Sequence, residues 1–156
     1  MKLIDKTTKW FINQSAPRIF GLSLLGLPLI VWLFSIIYQL EPRTNKNSRQ
    51  IKLGIASLIS AYTILYTLWA LGMFFQSNGI NIIDTLKPYH FGAMFCSFIM
   101  IIIASISYVN FEKQKGKRTY NPVVVVFFFI YYIIGIWFIQ PNLNDYAKNT
   151  STNKPS

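Results

Sequence analysis

Residues that carry chemistry are what this chain has least of. Its 156 residues include five Asp and Glu, one histidine and one cysteine. A lone cysteine, Cys96, excludes an internal disulfide framework and a cysteine-based metal site. A lone histidine, His90, excludes bis-histidine haem ligation within the chain and a histidine-rich metal centre. There is no glycine-rich phosphate loop, no pair of neighbouring carboxylates and no nucleophile elbow. We therefore expect no enzyme activity, no catalytic residues, no metal and no cofactor.

Charge is also missing from long stretches. Charged residues make up 13% of the chain, against about a quarter in soluble domains, while 53% is hydrophobic and the mean hydropathy is +0.37. Four runs of 17 to 23 residues contain no Asp, Glu, Lys or Arg, at 19–40, 53–75, 89–109 and 123–139. About 20 apolar residues in a helix cross a hydrocarbon core of roughly 30 Å. The expectation is an all-α polytopic membrane protein, with residues 19–140 forming a bundle of four transmembrane helices. Val123–Phe129 is β-branched and aromatic, yet a strand there would leave its edges unpaired in lipid, so it too is expected to be a helix. Pro28 should kink the first helix. A re-entrant half-helix is the alternative for that run.

What is present in excess is positive charge. The net charge is +10, and all fifteen Lys and Arg lie outside the apolar runs. In a soluble protein this would point to nucleic acid; here it points to anionic lipid head groups, with no nucleic-acid partner. Lys46, Arg49 and Lys52 in one loop, and Lys113, Lys115, Lys117 and Arg118 in another, are the expected head-group contacts. Residues 1–18 place Lys2, Lys6 and Lys9 roughly opposite Leu3, Ile4, Trp10 and Phe11, as in an amphipathic helix lying in the interface, with a frayed basic tail as the alternative. Residues 141–156 are rich in Asn, Thr and Ser and are expected to be a disordered tail.

Two runs share a rhythm of small residues. Ala56, Ser60, Thr63, Thr67 and Ala70 step by four, three, four and three, and Ala93, Ser97, Met100, Ala104 and Ser107 do the same. Membrane helices associate through close packing of small residues, so helices two and three should pack face to face at the centre, crossing near +20°. Ser60, Thr63 and Thr67 can alternatively line a polar path. Run four has Gly135 as its only small residue and belongs at the perimeter. His90 is expected to be an interfacial histidine with a polar neighbour, a pair with Asp84 being the alternative.

The two hairpins resemble one another. Ser35-Ile36-Ile37-Tyr38 is followed by Glu41, and Ser105-Ile106-Ser107-Tyr108 by Glu112, as in a duplicated hairpin. With four spans the basic loops carry eight Lys and Arg and the opposite side seven, so the positive-inside rule hardly decides. The denser loops are placed inside and both termini outside. In size and hydropathy the chain resembles four-span immunity, exclusion and accessory subunits. The expected function is a non-enzymatic protein of a bacterial inner membrane that binds a protein partner in the membrane or itself. The alternative is a small homo-oligomeric transporter or channel.

Overall fold

The computed structural model describes residues 2–41, 46–76, 82–116 and 120–152. Every element among them is a helix: α1 (Lys2–Asn13), α2 (Ala16–Ser23), α3 (Leu27–Leu40), α4 (Lys46–Gln76), α5 (Ile82–Gln114), α6 (Pro122–Ile130) and α7 (Tyr132–Thr152). Two of them, α4 and α5, are long and apolar enough to cross a membrane. The all-α expectation holds at that level, but four uninterrupted spans are not found. The first and fourth apolar runs are each broken in the middle.

Glycine and proline divide the first run between them. Gly26 adopts a φ of 77°, a left-handed conformation that glycine reaches without steric cost. Pro28 then falls in the first turn of α3, where its missing N–H needs no partner. Proline therefore starts a new helix instead of kinking an old one.

The fourth run folds back on itself. Asn121 caps α6 by accepting from the Val123 N–H at 2.9 Å, and the helix stops at Tyr131. Phe128 and Phe138 stack with ring centroids 5.2 Å apart. In a straight helix, ten residues would separate them by about 15 Å. Gly135 makes the reversal tight enough to work, since a Cβ there would lie 1.7 Å from the Phe128 carbonyl oxygen.

Cross-contacts give the direction of each element. Near the end of α3, Gln39 donates to the Thr8 hydroxyl at 2.7 Å. Further along α1, Gln140 donates to the Ile12 and Gln14 carbonyls at 2.9 and 2.7 Å while accepting from the Trp32 indole at 2.8 Å. So α1 runs antiparallel to α3, starting from the end where α3 finishes. On α7, Asn142 reaches Tyr108 at 2.9 Å, and the Tyr146 ring meets Phe111 edge-on at 4.7 Å. The start of α1, the end of α3, the start of α4, the end of α5 and the later half of α7 thus share one end of the bundle.

This arrangement moves the centre of packing. Helix α3 buries Ile30, Trp32, Leu33, Ile36, Ile37 and Leu40, and it packs on α1, α2, α4 and α5. The run 53–75, expected at the centre, buries just Ala56, Ile59 and Thr63. Run four, expected at the perimeter, buries Val125, Phe129, Ile136 and Ile139. The reason is geometric. By turning back at Gly26 and Tyr131, the outer runs crowd around α3 and the adjoining half of α5, leaving α4 at the edge.

Length does the rest. With a rise of 1.5 Å per residue, α3 is about 21 Å long, α4 about 46 Å and α5 about 50 Å. Among the described residues, none of α4 beyond Thr63 and none of α5 before Ala93 is buried. The outer half of the α4–α5 hairpin is an arm standing clear of the bundle.

Both terminal segments are ordered into this body. Thr8, Phe11 and Ile12 of α1 are buried against it, whereas Lys2, Lys6, Lys9, Leu3, Ile4 and Trp10 stay exposed. The expected disordered tail is helical as far as Thr152, because Gln140 and Leu143 are fully buried and anchor α7. Residues 153–156 lie outside the described part.

Gly135→Ala should lower the melting temperature in detergent far more than Gly54→Ala. The first forces a methyl into backbone, and overpacking typically costs about 1–3 kcal/mol. The second meets nothing within 4 Å. Equal thermal shifts in a side-by-side melt would refute the folded-back α6–α7 pair.

Candidate functional site

The shared end of the bundle holds two buried carboxylates, Glu41 and Glu112. Glu41 is the first residue beyond α3, in an extended conformation that ends the helix. Its side chain is 6% exposed and accepts from Lys52 Nζ at 2.5 Å and from the Ser107 hydroxyl at 2.6 Å. One carboxylate therefore ties the end of α3 to the first turns of α4 and the last turns of α5. A buried carboxylate needs such a set of partners, since an unpaired one is strongly destabilising.

A second carboxylate sits one turn further along α5. Glu112 is 4% exposed and accepts from the Tyr108 hydroxyl at 2.8 Å. Tyr108 in turn accepts from the Asn142 amide at 2.9 Å, which joins α5 to α7. The third element is Gln140, fully buried between α1, α3 and α7. Its acceptor takes the Trp32 N–H and its donor answers backbone carbonyls at the end of α1, which have no partner in their own helix. Together these groups brace helix ends. Among the described residues no group of three or more His, Cys, Asp or Glu is gathered as a metal site would need.

The arm carries the other distinctive surface. Tyr62, Leu65, Tyr66, Trp69 and Tyr89 line an open groove of about 370 Å³ between α4 and α5. The Tyr62 hydroxyl donates to the Tyr89 carbonyl at 3.1 Å and occupies the space a Cβ on residue 92 would need, 2.7 Å away, so Gly92 makes the contact feasible. Tyr66 meets His90 Nδ1 at 2.9 Å, and Asp84 takes Lys87 at 2.7 Å. His90 thus has tyrosine as its polar neighbour, and the alternative His90–Asp84 pair is absent.

The two small-residue rhythms lie on helices that pack together. Ala56, Thr63, Ala93, Met100, Ala104 and Ser107 are buried, and Ser60, Thr67, Ala70 and Ser97 are half-buried. Ser60 Oγ reaches Met100 Sδ across the pair at 3.7 Å. Thr63, Thr67 and Ser97 instead donate to carbonyls four residues back in their own helices, at 2.8–2.9 Å. Those three donors are satisfied within their own helices. Ser107 leaves the rhythm altogether and serves Glu41.

The expected head-group contacts divide in the same way. Lys46 and Lys113 are exposed, and Lys115 is exposed above the Phe111 and Tyr146 rings at 4.7 and 4.8 Å. Arg49 lies over the Tyr38 ring, 5.7 Å from its centre, and Lys52 is engaged by Glu41. Lys117 and Arg118 fall outside the described residues.

Sequence reasoning passed over Glu41, Glu112 and Gln140 because each borders an apolar run without interrupting it. A signal was nevertheless there, in the matched Ser35–Tyr38–Glu41 and Ser105–Tyr108–Glu112 series. Ser35 and Ser105 are both fully buried and donate to carbonyls four residues back, at 2.7 and 2.8 Å. The partners of the two glutamates differ, however, so the likeness ends at the carboxylates.

Gln140→Glu should destabilise the protein in detergent about as much as Gln140→Leu. Glutamate keeps the size and the acceptor for Trp32 but cannot donate while ionised, and a buried group left unpaired costs about 1–3 kcal/mol. A near-native melting temperature for either variant would show that packing, and not the amide, holds α1, α3 and α7 together.

No protein-family model, curated protein or solved structure matches this chain.

Proposed function

We propose that this is a small, non-enzymatic integral membrane protein whose α4–α5 arm binds a transmembrane helix of another membrane protein. In place of four spans, the reading has α4 and α5 as the full crossings and the remaining helices as a half-height body around them.

The observation that carries the proposal is the arm itself. Beyond the body it exposes Leu65, Leu68, Trp69, Phe74, Phe75, Phe91 and Phe95. In water that would be a far larger apolar patch than monomeric proteins tolerate. In lipid it is an acceptable solvent-facing surface. Lipid tails are as apolar as leucine, so partner choice must come from small residues and hydrogen bonds. The arm supplies the second. The Tyr62 and Tyr66 hydroxyls lie beside the groove and keep acceptor lone pairs while bonded to the Tyr89 carbonyl and His90. Tyr62 itself fills the space beside Gly92.

The buried polar groups support the non-enzymatic part. Glu41 and Gln140 are occupied in holding helices together, and Glu112 accepts from Tyr108 of its own helix, all three away from the arm. Work is thereby divided within one hairpin, its inner half building the body and its outer half free to bind.

A photo-crosslinking residue at Leu65 or Phe95 should give an adduct with one other membrane protein, and one at Ile133, exposed on the body, should not. Adducts of twice the chain's own mass would shift the reading to the homo-oligomer. Indiscriminate adducts from all three positions would contradict it.

A further inference from the structure

Among the described residues, the fold places most of the positive charge on one face. Lys2, Lys6 and Lys9 on α1, Lys46, Arg49 and Lys52 on α4, and Lys113 and Lys115 on α5 all belong to the end where α3 finishes. Among the described residues, the tip of the arm has Lys87 alone, paired with Asp84 at 2.7 Å, and Arg18 lies between on α2. Over all fifteen Lys and Arg and four spans, the linear count is eight against seven. Of the ten whose side chains are described, the turns at Gly26 and Tyr131 put eight at the basic end, Arg18 between and Lys87 alone at the tip.

The turns themselves are built for lipid. Leu25 and Gly26 donate to the Leu22 and Ser23 carbonyls, both at 3.0 Å. Tyr131 donates to Phe127 at 2.8 Å, and Gly135 to Tyr131 at 2.9 Å. Backbone donors at membrane depth need such internal partners, because hydrocarbon provides none. Their side chains agree. Turns in water favour Gly, Pro, Asn, Asp and Ser, whereas these expose Leu24 and Leu25 in one case and Ile130, Tyr131, Ile133 and Ile134 in the other.

We infer that the basic end docks on the anionic, cytoplasmic leaflet, that the first and fourth apolar runs are re-entrant hairpins entering and leaving by that face, and that both termini are cytoplasmic. This rests on the membrane reading above and adds sidedness and the number of crossings. Charge complementarity supports the orientation: Lys and Arg beside membrane segments are retained on the cytoplasmic side, where anionic lipids attract them. At about 21 Å, α3 would carry its turn well into a core of roughly 30 Å without crossing it.

Single cysteines at the exposed positions Thr7, Asn47, Gln114, Asp145 and Thr85, in a Cys96→Ala background, test this with a membrane-impermeant maleimide. In intact cells the reagent should label Thr85→Cys alone, and the other four should label after permeabilisation. Labelling at Thr7 and Asp145 together with Thr85 would restore four spans and overturn the inference. Labelling at all four basic-end sites but not at Thr85 would overturn its orientation. Release of the protein from membranes by carbonate would refute the membrane reading itself, and the inference with it.

Discussion

One buried amide joins three parts of the chain that hydropathy alone would keep apart. Gln140 lies between the end of α1, the middle of α3 and the start of the polar half of α7, answering two carbonyls and one indole N–H. Each of those groups would otherwise be buried without a partner, at a cost of about 1–3 kcal/mol. The amide can reach them only because α6 and α7 double back at Tyr131 and α2 and α3 at Gly26. The two reversals and the amide are therefore one arrangement. The Glu41 contacts with Lys52 and Ser107 close the same body at its basic end.

Helical class and the two long apolar helices were legible from charge-free length alone. The small-residue rhythm located helices that do pack together, and Ser60 and Met100 do meet across them. What the pattern could not convey was depth. Residues 19–40 and 123–139 are as apolar as a span, and hydropathy cannot tell a helix that crosses from one that turns back. That difference rests on the left-handed Gly26 and on the closeness of Gly135 to the Phe128 carbonyl, both of which look like ordinary membrane glycines in the sequence. The buried glutamates were missed for a related reason. A charge beside an apolar run looks like a loop residue until the chain folds another helix over it.

The same geometry gives the proposed function its division of parts. Five helices build the body against the inner half of the α4–α5 hairpin, and polar braces fix their ends. Among the described residues, the outer half has aromatic side chains and two tyrosine hydroxyls, and no covering helix. In a membrane, such a surface is recognised by shape and a few hydrogen bonds, not by greasiness. A rigid base would hold the arm in place while its outer face engages a partner helix.

Depth is the quantity on which the account stands. Spin labels at Leu25 and Tyr131, with references at Asn47 and Thr85, can be placed in reconstituted bilayers by comparing relaxation by oxygen and by a water-soluble nickel chelate. The account predicts that both turn positions report hydrocarbon depth, rich in oxygen and shielded from nickel, while the two references report water. Nickel accessibility at Leu25 or Tyr131 equal to that of Asn47 or Thr85 would contradict it.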